Sequence, residues 1–291
     1  HPHLQAEGGL EMVLKRVLVG AFITFWSIFI LLPLLWAAVT SIKPPEAVNF
    51  GATYIPFVEF QPSALGWSSI FGGGGATTNL IPPLFNSVII TFGGAAISLV
   101  LGTVSSYGLS RYAYKLGFIR NQDIVFFFIS QRIMPPIVLS FPFFLMLRNL
   151  DLLDTRTGLI LVSIAGLMPI VVWLMVDFFN GIPKELDEMA MLEGYSPFEV
   201  FGRVILPLTA PGLTVAGMFA VIFGWNDFFF PLVLTFGQIT TLPLAIVSLN
   251  ATVTPYWTLS AAAIFAILPL IIFAFAIERF LSKGSLSGAV R

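Results

Sequence analysis

The chain has no cysteine, and its only histidines are His1 and His3. Without a thiol there can be no disulfide, no thiolate metal site and no cysteine nucleophile. The opening HPHLQAEGG reads like an expression remnant, and two histidines there cannot build a metal site or a catalytic triad in the body of the chain. The phosphate loop GxxxxGK(S/T) is also missing. Any ATP that drives this protein must therefore bind to another chain.

Charge is scarce as well. Only 10% of the residues are charged, compared with roughly a quarter in soluble globular proteins, whereas 57% are hydrophobic. The net charge is −1, and no basic run interleaved with aromatic residues occurs, which excludes nucleic acid as the partner. This composition predicts a polytopic membrane protein made of helices.

Long uncharged runs place the membrane helices, because about 20 apolar residues cross the hydrocarbon. They predict six spans, at roughly 16–40, 86–109, 124–146, 158–179, 212–235 and 259–281. Residues 60–85, with four glycines at 72–75 and prolines at 82 and 83, read as an external loop. Breaks at 240–243 and 252–255 predict a loop between the last two spans.

Lysine and arginine set the orientation, because they favour the cytoplasmic side of short loops. With the N-terminus inside, ten of the fourteen lie in cytoplasmic segments and three in external ones, and Arg132 falls within a span. Both termini are therefore predicted to be cytoplasmic. We expect an N-terminal tail at 1–15 and one transmembrane domain at 16–291, with a polar cytoplasmic loop at 181–211.

That loop predicts two short amphipathic helices. Pro183 suits the first helical position, acids crowd the first turns, and Gly194 supplies a left-handed residue that ends a helix cheaply. Ser196 and Glu199 then form a capping box that opens a second helix, which Pro207 is expected to close. The loop has five acids against two bases, which favours a basic protein surface over anionic lipid as its contact.

The same loop resembles the cytoplasmic segment of the integral membrane permeases of binding-protein-dependent ABC importers. Their motif is Glu-Ala-Ala, a glycine further on, and then Ile-x-Leu-Pro. Met189 and Val204 are apolar exchanges within it, and Glu193 replaces a common aspartate. The positions that match its spacing are Glu188, Met189, Ala190, Gly194, Val204, Leu206 and Pro207. The resemblance runs from about 86 to 291 and is closest to the maltose-type carbohydrate subfamily.

The resemblance implies a transport subunit that catalyses no covalent chemistry and holds no cofactor or metal. ATP and Mg²⁺ would bind to a dimer of ATPase subunits. The other implied partners are a second homologous permease, an external solute-binding protein and the bilayer of a bacterial inner membrane. The tail at 283–291 would also reach the ATPase dimer. The residues implied to couple to the ATPase are Glu185, Asp187, Glu188, Met189, Ala190, Glu193, Gly194 and Pro207.

Polar residues inside two predicted spans suggest a path for the solute. Gln131 and Arg132 lie near the middle of the third span, where a cation is costly unless it is paired or hydrated. Arg132 either forms an ion pair with Asp177 or Asp227, or lines the translocation path. The fifth span contains Trp225, Asn226 and Asp227, which either bond between helices or border the solute cavity.

Two other functions compete with the importer permease. An ion-coupled secondary transporter would place relay residues across several spans and show a repeat between halves, and few such residues are present here. An intramembrane aspartyl protease would need Asp177 and Asp227 at one depth, whereas the predicted spans place them at different depths. The solute stays open among a sugar, a polyol, a glycerol phosphate and an acidic sugar derivative.

Overall fold

The computed structural model describes residues 2–49, 53–73, 79–250 and 254–285. The chain divides into two compact units, His1–Asn79 with Thr252–Ile267, and Leu80–Ala251 with Leu268–Arg291. Nearly all regular structure is helical. The strands are a two-residue antiparallel pair, β1 (Lys115–Leu116) and β2 (Ile119–Arg120). The long helices are α1 (Pro2–Ser41), α4 (Ile81–Arg111), α7 (Arg156–Asn180) and α14 (Tyr256–Ser285).

The remaining helices are shorter. In chain order they are α2 (Pro45–Asn49), α3 (Leu65–Ile70), α5 (Asn121–Ile133), α6 (Pro136–Asn149), α8 (Glu185–Leu192), α9 (Pro197–Glu199), a π-helical segment (Val200–Ile205), α10 (Leu206–Leu208), α11 (Ala210–Trp225), α12 (Phe229–Leu234) and α13 (Leu242–Asn250).

Among the described residues, four helical segments are long and apolar enough to cross a membrane: Leu14–Ser41, Ile81–Arg111, Arg156–Asn180 and Tyr256–Arg279. These coincide with the first, second, fourth and sixth predicted spans. Two further pairs of helices reach that length only together, and each pair is sharply bent. The described residues thus contain four unbroken candidate spans, or up to six if each bent pair also crosses.

The third predicted span, 124–146, is broken between α5 and α6, which meet at an angle of 98°. Met134 and Pro135 both adopt extended backbone, with ψ of 131° and 135°. Each precedes a proline, and the ring of a proline disfavours helical geometry in the residue before it. Pro136 then starts α6, where a missing N–H has no cost.

Four other segments differ from the predictions. Helix α4 starts at Ile81, before the predicted 86, because Pro82 and Pro83 fit its first turn instead of an external loop. The fifth predicted span, 212–235, is interrupted at 226–228 between α11 and α12. The predicted loop before the last span contains a further helix, α13. The tail predicted at 283–291 is helical to residue 285, and its last six residues lie outside the described ranges.

The core of the second unit forms where α4, α7 and α11 pack closely. Glycines allow this approach: a Cβ on Gly102 of α4 would lie 2.6 Å from a methyl carbon of Val171 in α7. One on Gly212 of α11 would lie 2.4 Å from the ring of Phe178 in α7. Small residues at helix crossings are typical of membrane proteins, where packing replaces the hydrophobic effect as the driving force.

The first unit joins the end of α1 to α3 and the start of α14. Gly66 of α3 packs so closely that a Cβ there would lie 2.6 Å from the carbonyl oxygen of Trp257 and 2.9 Å from that of Ser41. The indole of Trp67 donates to the hydroxyl of Ser41 over 3.2 Å. These contacts hold the segment after α1 against the helix ends.

Candidate coupling site and translocation path

Helix α8 has the start and the end that the loop sequence predicts, within two residues. Acidic side chains fill its first turn, where they favour the positive end of the helix dipole. Gly194 has a φ of +96°, and its N–H donates to the carbonyl of Met191 over 3.0 Å. The N–H of Tyr195 reaches back to Ala190 over 3.2 Å. The left-handed glycine that ends the helix is confirmed.

The second helix opens with the predicted capping box, because the N–H of Ser196 donates to the carboxylate of Glu199 over 3.1 Å. The second helix ends one residue after Pro207, the residue predicted to close it. The helical path continues from α9 through the π-helical segment into α10 and ends at Leu208. Pro207 fits there because it occupies the first turn of α10, where the missing N–H needs no partner.

One face of α8 is fixed to the body of the unit. Asp187 is 6% exposed, and Ala190 beside it is also buried. The hydroxyl of Tyr107 in α4 donates to Oδ1 of Asp187 over 2.7 Å. Nε of Arg111, also in α4, lies 2.9 Å from Oδ2 outside hydrogen-bond alignment, so this contact is ionic. The carboxylate of Asp187 therefore interacts with other residues of this chain.

Arg111 also caps the end of α7. Its guanidinium donates to the carbonyls of Phe179 over 3.0 Å and Ile182 over 3.2 Å. The last carbonyls of a helix have no partner within it, and a cation there complements the negative end of the dipole. One buried side chain thus joins α4, the end of α7 and α8. The rings of Tyr107, Phe179 and Phe201 pack around this junction.

The opposite face of α8 and α9 is exposed and mixes acidic with apolar side chains. Leu192 is 88% exposed and Phe198 is 89% exposed, which is unusual for large apolar residues without a partner. Of the eight predicted coupling residues, Asp187 and Ala190 are buried in the chain. The six that are exposed are Glu185, Glu188, Met189, Glu193, Gly194 and Pro207.

Arg132 lies at the end of α5, directly before the bend, and faces α7 and α11. Its guanidinium donates to the carbonyl of Gly166 in α7 over 3.2 Å and lies 4.9 Å from the ring centre of Phe223 in α11. Gln131 beside it is half-buried. A cavity of about 250 Å³ opens here, lined by Ile129, Arg132, Pro169, Ile170, Trp173, Leu174, Phe219 and Phe223.

A second cavity of about 190 Å³ is also lined by Arg132 and reaches Asp227. The two side chains line one cavity, yet within the described ranges no carboxylate lies at ion-pair distance from Arg132. Asp227 accepts from the N–H of Phe230 at the start of α12 over 3.4 Å. Asn226 is exposed and bonds to the preceding turn, whereas Trp225 is buried.

Residues 106–285 match the family described as the binding-protein-dependent transport system inner membrane component. The match covers the coupling loop and both cavities. The chain belongs to this family. It is therefore a multi-pass membrane component of a transport system.

Two relatives of this permease are named as sugar transport proteins. It is 32% identical to the trehalose transport system permease protein SugB of Mycobacterium tuberculosis, over 92% of this chain and 97% of that protein. It is 26% identical to the trehalose/maltose transport system permease protein MalG of Thermococcus litoralis, over 97% and 99%. Its fold matches a bacterial ABC transporter involved in the import of the acidic polysaccharide alginate, with a TM-score of 0.69, 21% identity and coverage of 92% and 96%.

Several residues of the permease's two sites were not singled out from the sequence. From the sequence, Tyr107 is only part of a predicted span, and Arg111 is only one of the counted cytoplasmic cations. Gly166 and the aromatic residues around Arg132 are not predicted to belong to a site. Glycine and aromatic residues are too frequent in this chain to stand out. Asp187 and Ala190 are three positions apart and therefore share one face of α8. This spacing is the feature of the sequence that indicates a buried side of the helix.

Proposed function

We propose that this permease is one of two membrane subunits of an ATP-driven importer that moves a carbohydrate across the bacterial inner membrane by alternating access. Family membership supports the transport role. The names of the relatives, which mention trehalose and maltose, support a carbohydrate as the solute. This chain would hydrolyse no ATP, because ATP and Mg²⁺ would bind to separate ATPase subunits.

The proposed topology has six spans with both termini in the cytoplasm. The excess of lysine and arginine in the segments on that side supports it, as does the bent pair of α5 and α6, which together have the length for the third span. The partners in this arrangement are a second homologous permease, a dimer of ATPase subunits, an external solute-binding protein and the bilayer. The loop at 181–211 then faces the ATPase.

The observation that carries this proposal is the two-sided character of α8. Its inner side is bound to α4 and α7 through Asp187 and Arg111, and its outer side leaves acidic and apolar groups free. Methionine and leucine adapt to a partner's surface, and carboxylates favour a basic one. A displacement of α8 by the ATPase would therefore move α4 and α7 with it.

The proposed solute path follows the cavities beside Arg132. It includes the predicted residues Gln131, Arg132, Trp225, Asn226 and Asp227, and the walls add Trp173, Phe219 and Phe223. Aromatic faces suit the apolar faces of sugar rings, and a guanidinium and a carboxylate offer hydrogen bonds to hydroxyl groups. Helix α7 lines both larger cavities and ends at the α8 junction, so one helix would connect the ATPase contact with the path.

The test removes the exposed apolar contacts of the coupling loop and leaves its buried side intact. In the double variant Leu192→Ser and Phe198→Ser, we expect loss of the copurifying ATPase and of sugar uptake into proteoliposomes, while the permease still folds. The matched control is Phe118→Ser, which removes an equally exposed phenylalanine from the turn between β1 and β2. ATPase binding and uptake that persist in the double variant, or uptake driven by an ion gradient without ATP, would contradict the proposal.

A further inference from the structure

The first unit contains an exposed apolar turn at residues 54–60 that neither coupling nor translocation explains. Phe57 is 74% exposed and Val58 is 78% exposed, and Tyr54 and Ile55 beside them are exposed by about half. Four neighbouring large apolar side chains form a contiguous patch, and such patches on a protein surface mark contact with a partner or a membrane.

The amide donors of this turn are paired internally. Each N–H between positions 54 and 59 donates to an acceptor within the turn, and position 56 is a proline that has none. The carboxylate of Glu59 accepts two of these bonds, and the carbonyls of Ile55 and Phe60 accept the others. Internal pairing of these donors lowers the cost of placing a non-helical segment where water is scarce.

The turn folds back alongside the membrane span that precedes it. The ring of Tyr54 lies 5.5 Å from the ring of Trp36, centre to centre. Trp36 belongs to the apolar span Leu14–Ser41 and lies five residues before its end, which is about 8 Å along the helix axis. Tryptophan and tyrosine near the end of a span occupy the headgroup level of the bilayer. The contact with Trp36 therefore brings the turn to this depth.

Lys43 closes the base of the turn. Its ammonium group lies 4.7 Å from the ring centre of Trp36 and 5.7 Å from that of Phe60, and it donates to the carbonyl of Thr53. Lysine side chains at the end of a span extend along apolar surface and keep their charge at the interface. The cation also offsets the charge of Glu59, so the turn presents no isolated ion to lipid.

The backbone at the tip is strained. Phe57 has a φ of +65°, a left-handed conformation that is rare for a bulky residue. Such strain persists where surrounding contacts enforce it and often marks a functional segment. Here it places an aromatic side chain at the most exposed part of the turn.

We propose that residues 54–60 form a lipid anchor that inserts Tyr54, Ile55, Phe57 and Val58 into the headgroup and acyl boundary of the membrane at the end of α1. The anchor rests on α1 crossing the membrane and goes beyond the transport role. It would fix the depth of α1 and of the loop that follows it.

The test uses the absence of cysteine in this chain. Val58→Cys is labelled with an environment-sensitive fluorophore in the assembled transporter in lipid nanodiscs, with the unsubstituted chain as background. Ile55→Cys provides a second position in case the first variant does not assemble. The matched control is Glu46→Cys, an exposed charged position on α2 of the same unit. Quenching is compared between nitroxide-labelled lipids and a water-soluble nickel chelate.

We expect the label at 58 to emit further to the blue than the label at 46, with several-fold stronger quenching by the lipid nitroxide than by the nickel chelate. The reverse order of quenching in the assembled transporter would overturn the anchor. Protection of position 58 that arises only when the external solute-binding protein is added would also overturn it, in favour of a protein contact. Neither outcome depends on sugar uptake, so the anchor and the proposed function can fail separately.

Discussion

Arg111 and Asp187 form a buried ion pair whose side chains are 5% and 8% exposed. Removing one partner of such a pair leaves an uncompensated charge and costs about 3–5 kcal/mol. Asp187→Asn keeps the oxygen that accepts from Tyr107 and removes only the charge. We expect this variant to lower the melting temperature of the purified transporter strongly. Arg111→Met combined with Asp187→Leu should cost less than either single change, because no charge stays buried.

The exposed pair between Arg203 and Glu199 is the control for this prediction. Its atoms approach to 3.2 Å, but both side chains reach solvent. Arg203→Gln should therefore lower the melting temperature far less than Asp187→Asn does. A loss as large as that of Asp187→Asn would show that burial does not decide the strength of the pair. Equal stability of wild type and Asp187→Asn would remove the argument that this contact fixes α8.

The residue scale also shows what sequence alone can establish about the site. The capping box at Ser196 and the left-handed Gly194 are local features, and both are confirmed. The burial of Asp187 depends on Arg111 in a distant helix, and no local pattern indicates which cation meets which acid. A count of acids in the first turn treats Asp187 and Glu188 alike, whereas their neighbours in the fold are different.

At the scale of elements, one carboxylate ties the connection between α6 and α7 to the segment after α12. Asp154 is buried and accepts from the N–H groups of Gln238 and Ile239, each over 2.9 Å. Burial alone would raise the pKa of Asp154, but the hydrogen bonds from these N–H groups and from that of Phe236 favour the charged form. The pKa therefore lies below its usual value.

A lowered pKa in the folded state gives stability that is present above the unfolded pKa of about 3.9 and is lost as the pH falls through the folded value. We expect Asp154→Asn to lower the melting temperature at pH 7, by a loss of about 1–2 kcal/mol for weakened charged hydrogen bonds. The difference from wild type should shrink as the pH falls below about 4. Melting curves of both proteins across that range provide the measurement.

Asp151→Asn is the matched control, because Asp151 has the same φ of +54° as Asp154 and is exposed. Asparagine tolerates this backbone conformation, so the control separates charge from strain. The melting temperature of Asp151→Asn should be close to that of wild type at every pH. If the difference in melting temperature between Asp154→Asn and wild type does not depend on pH, the charge of the Asp154 carboxylate contributes nothing to stability.

The positions of the helices and of their breaks were predictable from the sequence to different degrees. The length of the apolar runs located the four unbroken candidate spans, because a helix that crosses the hydrocarbon must be apolar over about 20 residues. Consecutive prolines at 135 and 136 favour a kink or break in a helix, but they do not set the bend of 98°. The angle depends on what α5 and α6 pack against. Helix α13 was missed because it is short and lies between turn residues, where a loop and a nine-residue helix have similar sequences.

At the scale of the molecule, α7 connects the two sites of the second unit. Its end is capped by Arg111 at the α8 junction, and its middle supplies Gly166, Pro169 and Trp173 to the cavities. A shift of α8 that moves the end of α7 would therefore move the wall beside Arg132. The close approach of Gly102 to Val171 couples α4 to the same motion, because packed helices of this kind move together.

Arg132 provides the test of this connection. Its guanidinium bonds to Gly166 and lies over Phe223, and no carboxylate in the described ranges lies close enough to form an ion pair with it. We expect Arg132→Gln to raise the KM for uptake about tenfold, because a hydrogen bond to a charged group contributes about 1.5–3 kcal/mol. Arg132→Lys should recover part of the loss, since it keeps the charge but not the planar fork. Uptake of radiolabelled sugar into proteoliposomes gives the KM.

The melting temperature of the same variants separates contact with solute from a structural role. If Arg132 only holds α5 against α7, Arg132→Gln should lower the melting temperature and leave the KM unchanged. If it contacts the solute, the KM changes while the fold loses only one hydrogen bond to Gly166 and one ring contact. Comparison of an acidic with a neutral sugar adds the last distinction. If the guanidinium binds a carboxylate of the solute, Arg132→Gln should weaken the affinity for the acidic sugar more than that for the neutral sugar. If it binds hydroxyl groups, the substitution should weaken both affinities similarly.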